Sequence, residues 1–111
     1  MGVTRTDLFT EAQNELAMLA RVLGHPARIA ILQHLIQSKV CINGDLVEEL
    51  GLAQPTISQH LRELKEAGII QGTIEGTRVN YCIEPEKWEK MRHVFSTLFD
   101  GYTPTSGQQC C

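Results

Sequence analysis

A helix followed at once by two short strands is the feature that most constrains the fold of this chain. Between Gln54 and Ala67, apolar residues recur at the spacing of an amphipathic helix, and Gly68 is suited to end it. The next segments, Ile69–Ile74 and Arg78–Ile83, are rich in β-branched residues and flank a tight turn, which predicts a β-hairpin. The segment before the helix decides which fold this unit belongs to.

A short helix is predicted immediately before this unit. Asn43 can cap a helix over Gly44–Leu50, because its side-chain oxygen can accept hydrogen bonds from free backbone amides. Gly51 ends that helix, and the turn Gly51-Leu52-Ala53 leads into the helix that begins at Gln54. The order helix, turn, helix, hairpin defines a winged helix-turn-helix.

The rest of the chain is predicted to be mainly helical. We expect helices over residues 5–23, from Pro26 to about Ser38 and from Pro85 to about Phe99, with residues 40–42 extended. The residues of the second helix expected to face inward are Ile29, Leu32, Leu35 and Ile36. The last helix carries an apolar stripe formed by Trp88, Met91, Phe95, Leu98 and Phe99. The predicted fold class is mainly α with a β-hairpin wing, as one domain over residues 1–100 and a flexible tail over 101–111.

One face of the helix that begins at Gln54 carries hydrogen-bonding side chains, opposite an apolar face of Ile57, Leu61 and Leu64. The predicted contact residues on and beside the polar face are Gln54, Thr56, Ser58, Gln59, His60 and Arg62. The second helix of such a motif enters the major groove, where Gln can bind adenine edges and Ser or Thr can bind bases or phosphates. At the hairpin turn, Thr77 and Arg78 are expected to contact the DNA backbone or minor groove. We therefore predict binding to double-stranded DNA without a required cofactor.

The formal net charge of −3 opposes this prediction, because DNA affinity depends largely on neutralising phosphates. The acidic residues, however, cluster in segments 11–15, 45–49 and 84–89, and segment 54–62 contains none. No phosphate-binding glycine loop, nucleophile elbow or catalytic histidine–carboxylate spacing is present, so we do not expect an enzyme. No apolar run approaches the roughly 20 residues needed to cross a bilayer, and no secretion signal begins the sequence. A cytoplasmic protein that does not enter the membrane is expected.

Several segments together resemble the ArsR/SmtB family of metalloregulators. In chain order they read LGHPARI (23–29), DL (45–46), QPTISQHL (54–61), LKEAGII (64–70) and EGTRVNY (75–81). The resemblance covers nearly the whole chain and depends on the order and spacing of these segments. It implies a homodimeric repressor that pairs through its first and last helices and leaves its operator when an inducer binds. Ala53 departs from the family, which often has a capping Ser there; that loss costs about 1 kcal/mol of local stability.

The candidate residues for binding the inducer are the four cysteines of the chain, Cys41, Cys82, Cys110 and Cys111. In a cytosolic chain, such cysteines favour metal binding or redox chemistry over structural disulfides. The family's thiolate site is incomplete, because Asn43 occupies the place of a second cysteine beside Cys41. The adjacent tail cysteines can both reach one thiophilic centre. The hypothesis is therefore arsenite, antimonite or another soft metal ion held by Cys110, Cys111 and Cys41, with Cys82 structural.

Two alternatives stay open. A repressor that responds to thiol oxidation or to persulfides would also use paired cysteines, but it needs no third thiolate. A winged helix can also serve as a protein-interaction module without an inducer, and the net acidity of this chain favours that alternative. A second metal site of the family, on the last helices, is incomplete here, so Glu89 and His93 are expected to face solvent.

Overall fold

The computed structural model describes residues 6–38, 42–43, 50–75 and 78–104. Within these ranges the chain forms the helices α1 (Glu11–Leu23), α2 (Pro26–Ser38), α3 (Gln54–Glu66) and α4 (Pro85–Asp100). The strands in the same ranges are β1 (Ile42–Asn43), β2 (Ile70–Glu75) and β3 (Arg78–Ile83). The predicted fold class is confirmed. The short helix predicted over residues 44–50 lies outside the described residues, except for Leu50, which is helical.

Helix α1 begins later than predicted. Thr6–Leu8 form a separate 3-10 turn, and α1 starts at Glu11 because Thr10 caps it. The Thr10 hydroxyl accepts a hydrogen bond from the Gln13 backbone N–H, and the Gln13 side chain accepts one from the Thr10 N–H, both at 3.0 Å. This reciprocal pair is a capping box, which satisfies backbone donors at the helix start. The helix boundary is therefore fixed by residues 10–13.

The core forms where the helices meet the sheet. Its fully buried large side chains are Leu19, Ile31, Ile57, Leu61, Leu64, Ile69 and Tyr81. The predicted inner face of α3 is confirmed, but that of α2 is correct only for Leu32 and Leu35. Ile29 and Ile36 are 39% and 49% exposed, and Ile31 is buried instead. Because apolar residues surround much of α2, periodicity alone does not select the stripe that faces the core.

An apolar groove of about 360 Å³ lies between α2 and α4. Ile29 and Ile36 line one side of it, and Trp88 and Phe95 line the other. The stripe predicted on α4 is only partly covered within one chain: Met91 is buried, whereas Leu98 and Phe99 are 54% and 68% exposed. The end of α4 thus presents an apolar surface to solvent.

The hairpin matches the prediction to within one residue. Strand β3 lies between β1 and β2, and both pairings are antiparallel, with Ile42 opposite Tyr81 and Glu75 opposite Arg78. Gly72 has a φ of 133°, and a Cβ there would lie 2.0 Å from the Asn80 carbonyl oxygen. Only glycine therefore allows this approach of β2 to β3.

The transition from α3 to β2 depends on Gly68, as predicted. This residue has a φ of 82° and follows the C-cap Ala67. Its N–H donates to the Lys65 carbonyl at 2.9 Å, and the Ile69 N–H donates to the Leu64 carbonyl at 3.1 Å. These two bonds form a Schellman motif, which ends the helix and directs the chain into the sheet.

No helix within the described ranges is long and apolar enough to cross a membrane.

Candidate nucleic-acid interface

The candidate interface is built on helix α3, which begins without a side-chain cap. Ala53 is the N-cap, it makes no side-chain hydrogen bond to the helix, and Pro55 occupies the first turn. The missing cap agrees with the expectation from the sequence. Proline is tolerated in the first turn because the N–H it lacks has no partner within the helix there.

The two faces of α3 differ in chemistry and in exposure. Ile57, Leu61 and Leu64 are at most 1% exposed and pack into the core. On the opposite side, the exposed residues of the predicted interface are Thr56, Gln59 and Arg62, whereas Gln54 is half-buried. These three side chains form the groove face of α3, which combines a hydroxyl, an amide and a guanidinium group.

Ser58 and His60, predicted contacts beside the polar face, are buried and not exposed. They are 6% and 8% exposed. His60 stands three residues after Ile57 and one before Leu61, and on a helix this position belongs to the inward side. The Ser58 hydroxyl accepts a 3.1 Å hydrogen bond from the side-chain amide of Gln54. These two side chains therefore pack inside the protein, where they hold α3 in place.

The hairpin lies beside α3, since β2 packs against this helix. Arg78 begins β3 opposite Glu75, which places it next to the turn, as predicted. Thr77 and the Arg78 side chain lie outside the described residues. The backbone of β2 and β3 therefore forms the predicted wing next to α3.

The predicted thiolate ligands Cys41, Cys110 and Cys111 lie outside the described residues. Cys82 is half-buried on β3 and is disulfide-bonded. Among the residues that the structure describes, no group of three or more His, Cys, Asp or Glu side chains could hold a metal ion. Both Glu89 and His93 are exposed on α4, as expected.

One cluster beside the interface was missed from the sequence. Arg28, at the start of α2, donates a hydrogen bond from Nε to His60 Nδ1 and forms an ion pair with Glu63. The His25 ring stands 4.3 Å from the His60 ring, measured between centroids. The only hint in the sequence is that His25 and Arg28 lie next to a predicted helix start.

A helix with one apolar and one polar face, led by a tight turn and followed by an antiparallel hairpin, defines the winged-helix class of DNA-binding proteins. The comparisons with known proteins agree. Residues 25–71 match the family model described as bacterial regulatory protein, arsR family. The chain belongs to this family.

Relatives extend the match over most of the chain. The biofilm growth-associated repressor of Xylella fastidiosa is 31% identical over 97 residues, which are 87% of this chain and 83% of that protein. The crystal structure of the transcriptional repressor BigR from Xylella fastidiosa superposes with a TM-score of 0.58 at 26% identity, covering 93% of this chain and 100% of that one. The solution structure of the cadmium metal-sensor CmtR from Mycobacterium tuberculosis gives 0.51 at 31% identity, covering 86% and 96%. These relatives are transcriptional regulators.

Proposed function

We propose that this protein is a homodimeric transcriptional repressor that acts on operator DNA in the cytoplasm and is not an enzyme. The observation that carries the proposal is the groove face of α3, because its opposite side is fixed in the core. Thr56, Gln59 and Arg62 are the proposed groove contacts, with Gln54 at the helix start. From their place in the sequence, Thr77 and Arg78 are the proposed contacts of the wing.

The test begins with selection of double-stranded DNA from a randomised library by the full-length protein. Fluorescence anisotropy then compares the selected site with a scrambled one at several salt concentrations. We expect tighter binding to the selected site and a linear fall of log affinity with log salt, as phosphate contacts require. Absence of DNA binding at low salt would overturn the proposal and favour a protein-interaction module.

A second copy of the chain is proposed to cover the exposed apolar ends of α1 and α4. In one chain these helices pack together, and Lys90 Nζ lies 3.6 Å from Glu15 Oε2. Large apolar side chains remain exposed near their ends: Leu8, Phe9, Leu98, Phe99 and Tyr102. Apolar patches of this kind mark interfaces, and a two-fold dimer would present two α3 helices to paired half-sites. Two chains per selected site are expected, and one would contradict the dimer.

Arsenite or another thiophilic ion is the proposed inducer, held by Cys110 and Cys111 of the tail (residues 101–111) with Cys41 as third ligand. Thiolates are the donors that such ions prefer. The related CmtR of Mycobacterium tuberculosis is a cadmium metal-sensor, which supports a soft-metal inducer in general. An ion held by both the tail and Cys41 would couple the tail, proposed to be separate from the domain over residues 1–100, to the segment before α3.

Truncation after Gln109 is expected to abolish release from DNA by arsenite. The assay measures release of the reduced protein from the selected site with arsenite, antimonite, cadmium, zinc and peroxide in parallel. The response should weaken at low pH, because thiols must lose protons to bind the ion. Undiminished arsenite release by the truncated protein would remove the tail from the mechanism.

A thiol-redox response is the second candidate, and the disulfide at Cys82 favours it. Two thiols give up two electrons and two protons when they form a disulfide, and a peroxide that accepts them becomes two waters. We infer that Cys41 is the partner, because its sequence neighbour Ile42 pairs with Tyr81, the neighbour of Cys82. The candidates exclude each other at Cys41, which cannot be a thiolate ligand and half of a disulfide at once.

Cys82→Ser separates these two candidates. A redox repressor should lose its release by peroxide in this variant, while a metalloid repressor should keep its release by arsenite. The wild-type protein in the same buffer is the control for both arms. Peroxide release that is unaffected by Cys82→Ser would remove the redox candidate.

A further inference from the structure

The side chain of Arg28 connects three helices at a partly buried point behind the groove face. It extends from α2, with 15% of its side chain exposed. Its Nη1 donates to the Val22 carbonyl at the end of α1, at 3.0 Å, and its Nε donates to His60 Nδ1 of α3, at 3.1 Å. Its Nη2 pairs with Glu63, also on α3. One guanidinium group thus uses its fixed donor geometry on partners from both flanking helices.

The two partners on α3 stand about one turn apart: His60 is buried, and Glu63 lies beside Gln59, from which it accepts a 3.4 Å hydrogen bond. His60 directly follows Gln59, and Glu63 directly follows Arg62, so each contact to Arg28 is adjacent in sequence to a proposed DNA contact. A rotation of α3 about its axis would break the bonds to Arg28 and turn the groove face at the same time. Groups that contact bases must be held closely to be selective.

We propose that Arg28 is a positioning residue for DNA recognition, which holds α3 through neutral His60 and through Glu63 so that Gln59 and Arg62 meet the groove. The proposal rests on the proposed DNA-binding function and adds the part of the chain that orients the helix. His60 must be unprotonated at Nδ1, because that atom accepts the bond from Arg28 Nε–H. A protonated ring would turn a second donor towards Arg28, and the bond would be lost.

The surroundings of His60 oppose its protonation. The pKa of His60 lies below its ordinary value of 6.5, mainly because burial penalises the charged ring, and further because His25 and Arg28 are close. The titratable and charged groups that line the pocket beside this site are Arg21 on α1, His25 before α2, Arg28 on α2, and Glu63 and Glu66 on α3. Strand β2 adds no charge between Ile70 and Thr73. Since the pKa of His60 is lowered in the folded protein, the stabilisation by its bond to Arg28 is complete above pH 6.5. This stabilisation is lost as the pH falls through the folded pKa.

His60→Asn is the central variant of the test, because the Asn carbonyl can accept from Arg28 and does not titrate. Affinity for the selected DNA site is measured between pH 7.5 and 5.5. We expect His60→Asn to bind like the wild type at pH 7.5 and His60→Ala to bind about tenfold more weakly, the effect of losing one charge-assisted hydrogen bond. As the pH falls through the folded pKa of His60, the wild type should lose about tenfold relative to His60→Asn. His34→Asn, a half-buried histidine on α2 outside the cluster, is the matched control and should follow the wild type.

A spectroscopic measurement keeps the proposal testable even if a variant does not fold. Long-range proton–nitrogen correlation on the wild-type protein at pH 7.5 should show His60 protonated at Nε2 and bare at Nδ1. A proton on Nδ1, or the same pH profile for wild type and His60→Asn, would overturn the proposal. If the wild type binds no DNA at any pH, the proposed function itself has failed.

Discussion

Gly72→Ala is expected to destabilise the protein by about 3 kcal/mol and to abolish selective DNA binding, because it disrupts the wing. A Cβ at this position would lie 2.0 Å from the Asn80 carbonyl oxygen and 2.7 Å from the Tyr81 Cα. Both atoms belong to the backbone of β3, so no side-chain rotation relieves the overlap and the strands must separate. Urea denaturation followed by circular dichroism measures the loss.

Gly51→Ala is the matched control for this substitution. Gly51 also has a positive φ, at 70°, but a Cβ there meets nothing within 4 Å. The control therefore carries the cost of the left-handed backbone alone, about 1–2 kcal/mol. If Gly72→Ala lost no more stability than Gly51→Ala, the close approach of β2 to β3 at this point would be wrong.

Features fixed by neighbouring residues could be predicted from the sequence. Pro26 marked the start of α2, and Gly68 marked the end of α3 through the Schellman motif. The hairpin was placed to within one residue because its turn and its β-branched strands are local patterns. The late start of α1 was also within reach, since Thr10 and Gln13 have the spacing of a capping box.

Features fixed by distant residues could not be predicted in this way. His60 is polar, and an amphipathic pattern assigns such a residue to the surface unless a partner is known. That partner, Arg28, lies 32 residues earlier in the chain. The same reason applies to α2, where the choice between Ile29 and Ile31 depends on how α2 packs against α1, α3 and β3 and not on the helix itself. Tertiary contacts thus decided which half of the candidate site faces inward.

Gln59→Ala is expected to weaken binding to the selected DNA site by about 1–3 kcal/mol, which is roughly fivefold to more than a hundredfold. The side chain is exposed at the middle of the groove face, and its Nε2 donates only a long, exposed hydrogen bond of 3.4 Å to Glu63. A base edge can replace that bond at little cost. Anisotropy titrations against the selected site and against single-base variants measure the effect.

Gln37→Ala is the matched control, because Gln37 is an exposed glutamine near the end of α2, on a different helix from the groove face. Both variants should keep the wild-type free energy of unfolding within about 0.5 kcal/mol, as exposed substitutions usually do. The form of the loss then distinguishes two roles for Gln59. A base contact makes the variant tolerant of changes at one base pair, whereas a phosphate contact weakens all sequences equally and lowers the salt dependence. Gln59 stands between Thr56 and Arg62 on α3, and no acidic residue lies in segment 54–62. We therefore expect a base contact, so that Gln59→Ala becomes tolerant of changes at one base pair. Unchanged affinity for every sequence would show that α3 does not enter the groove with this face.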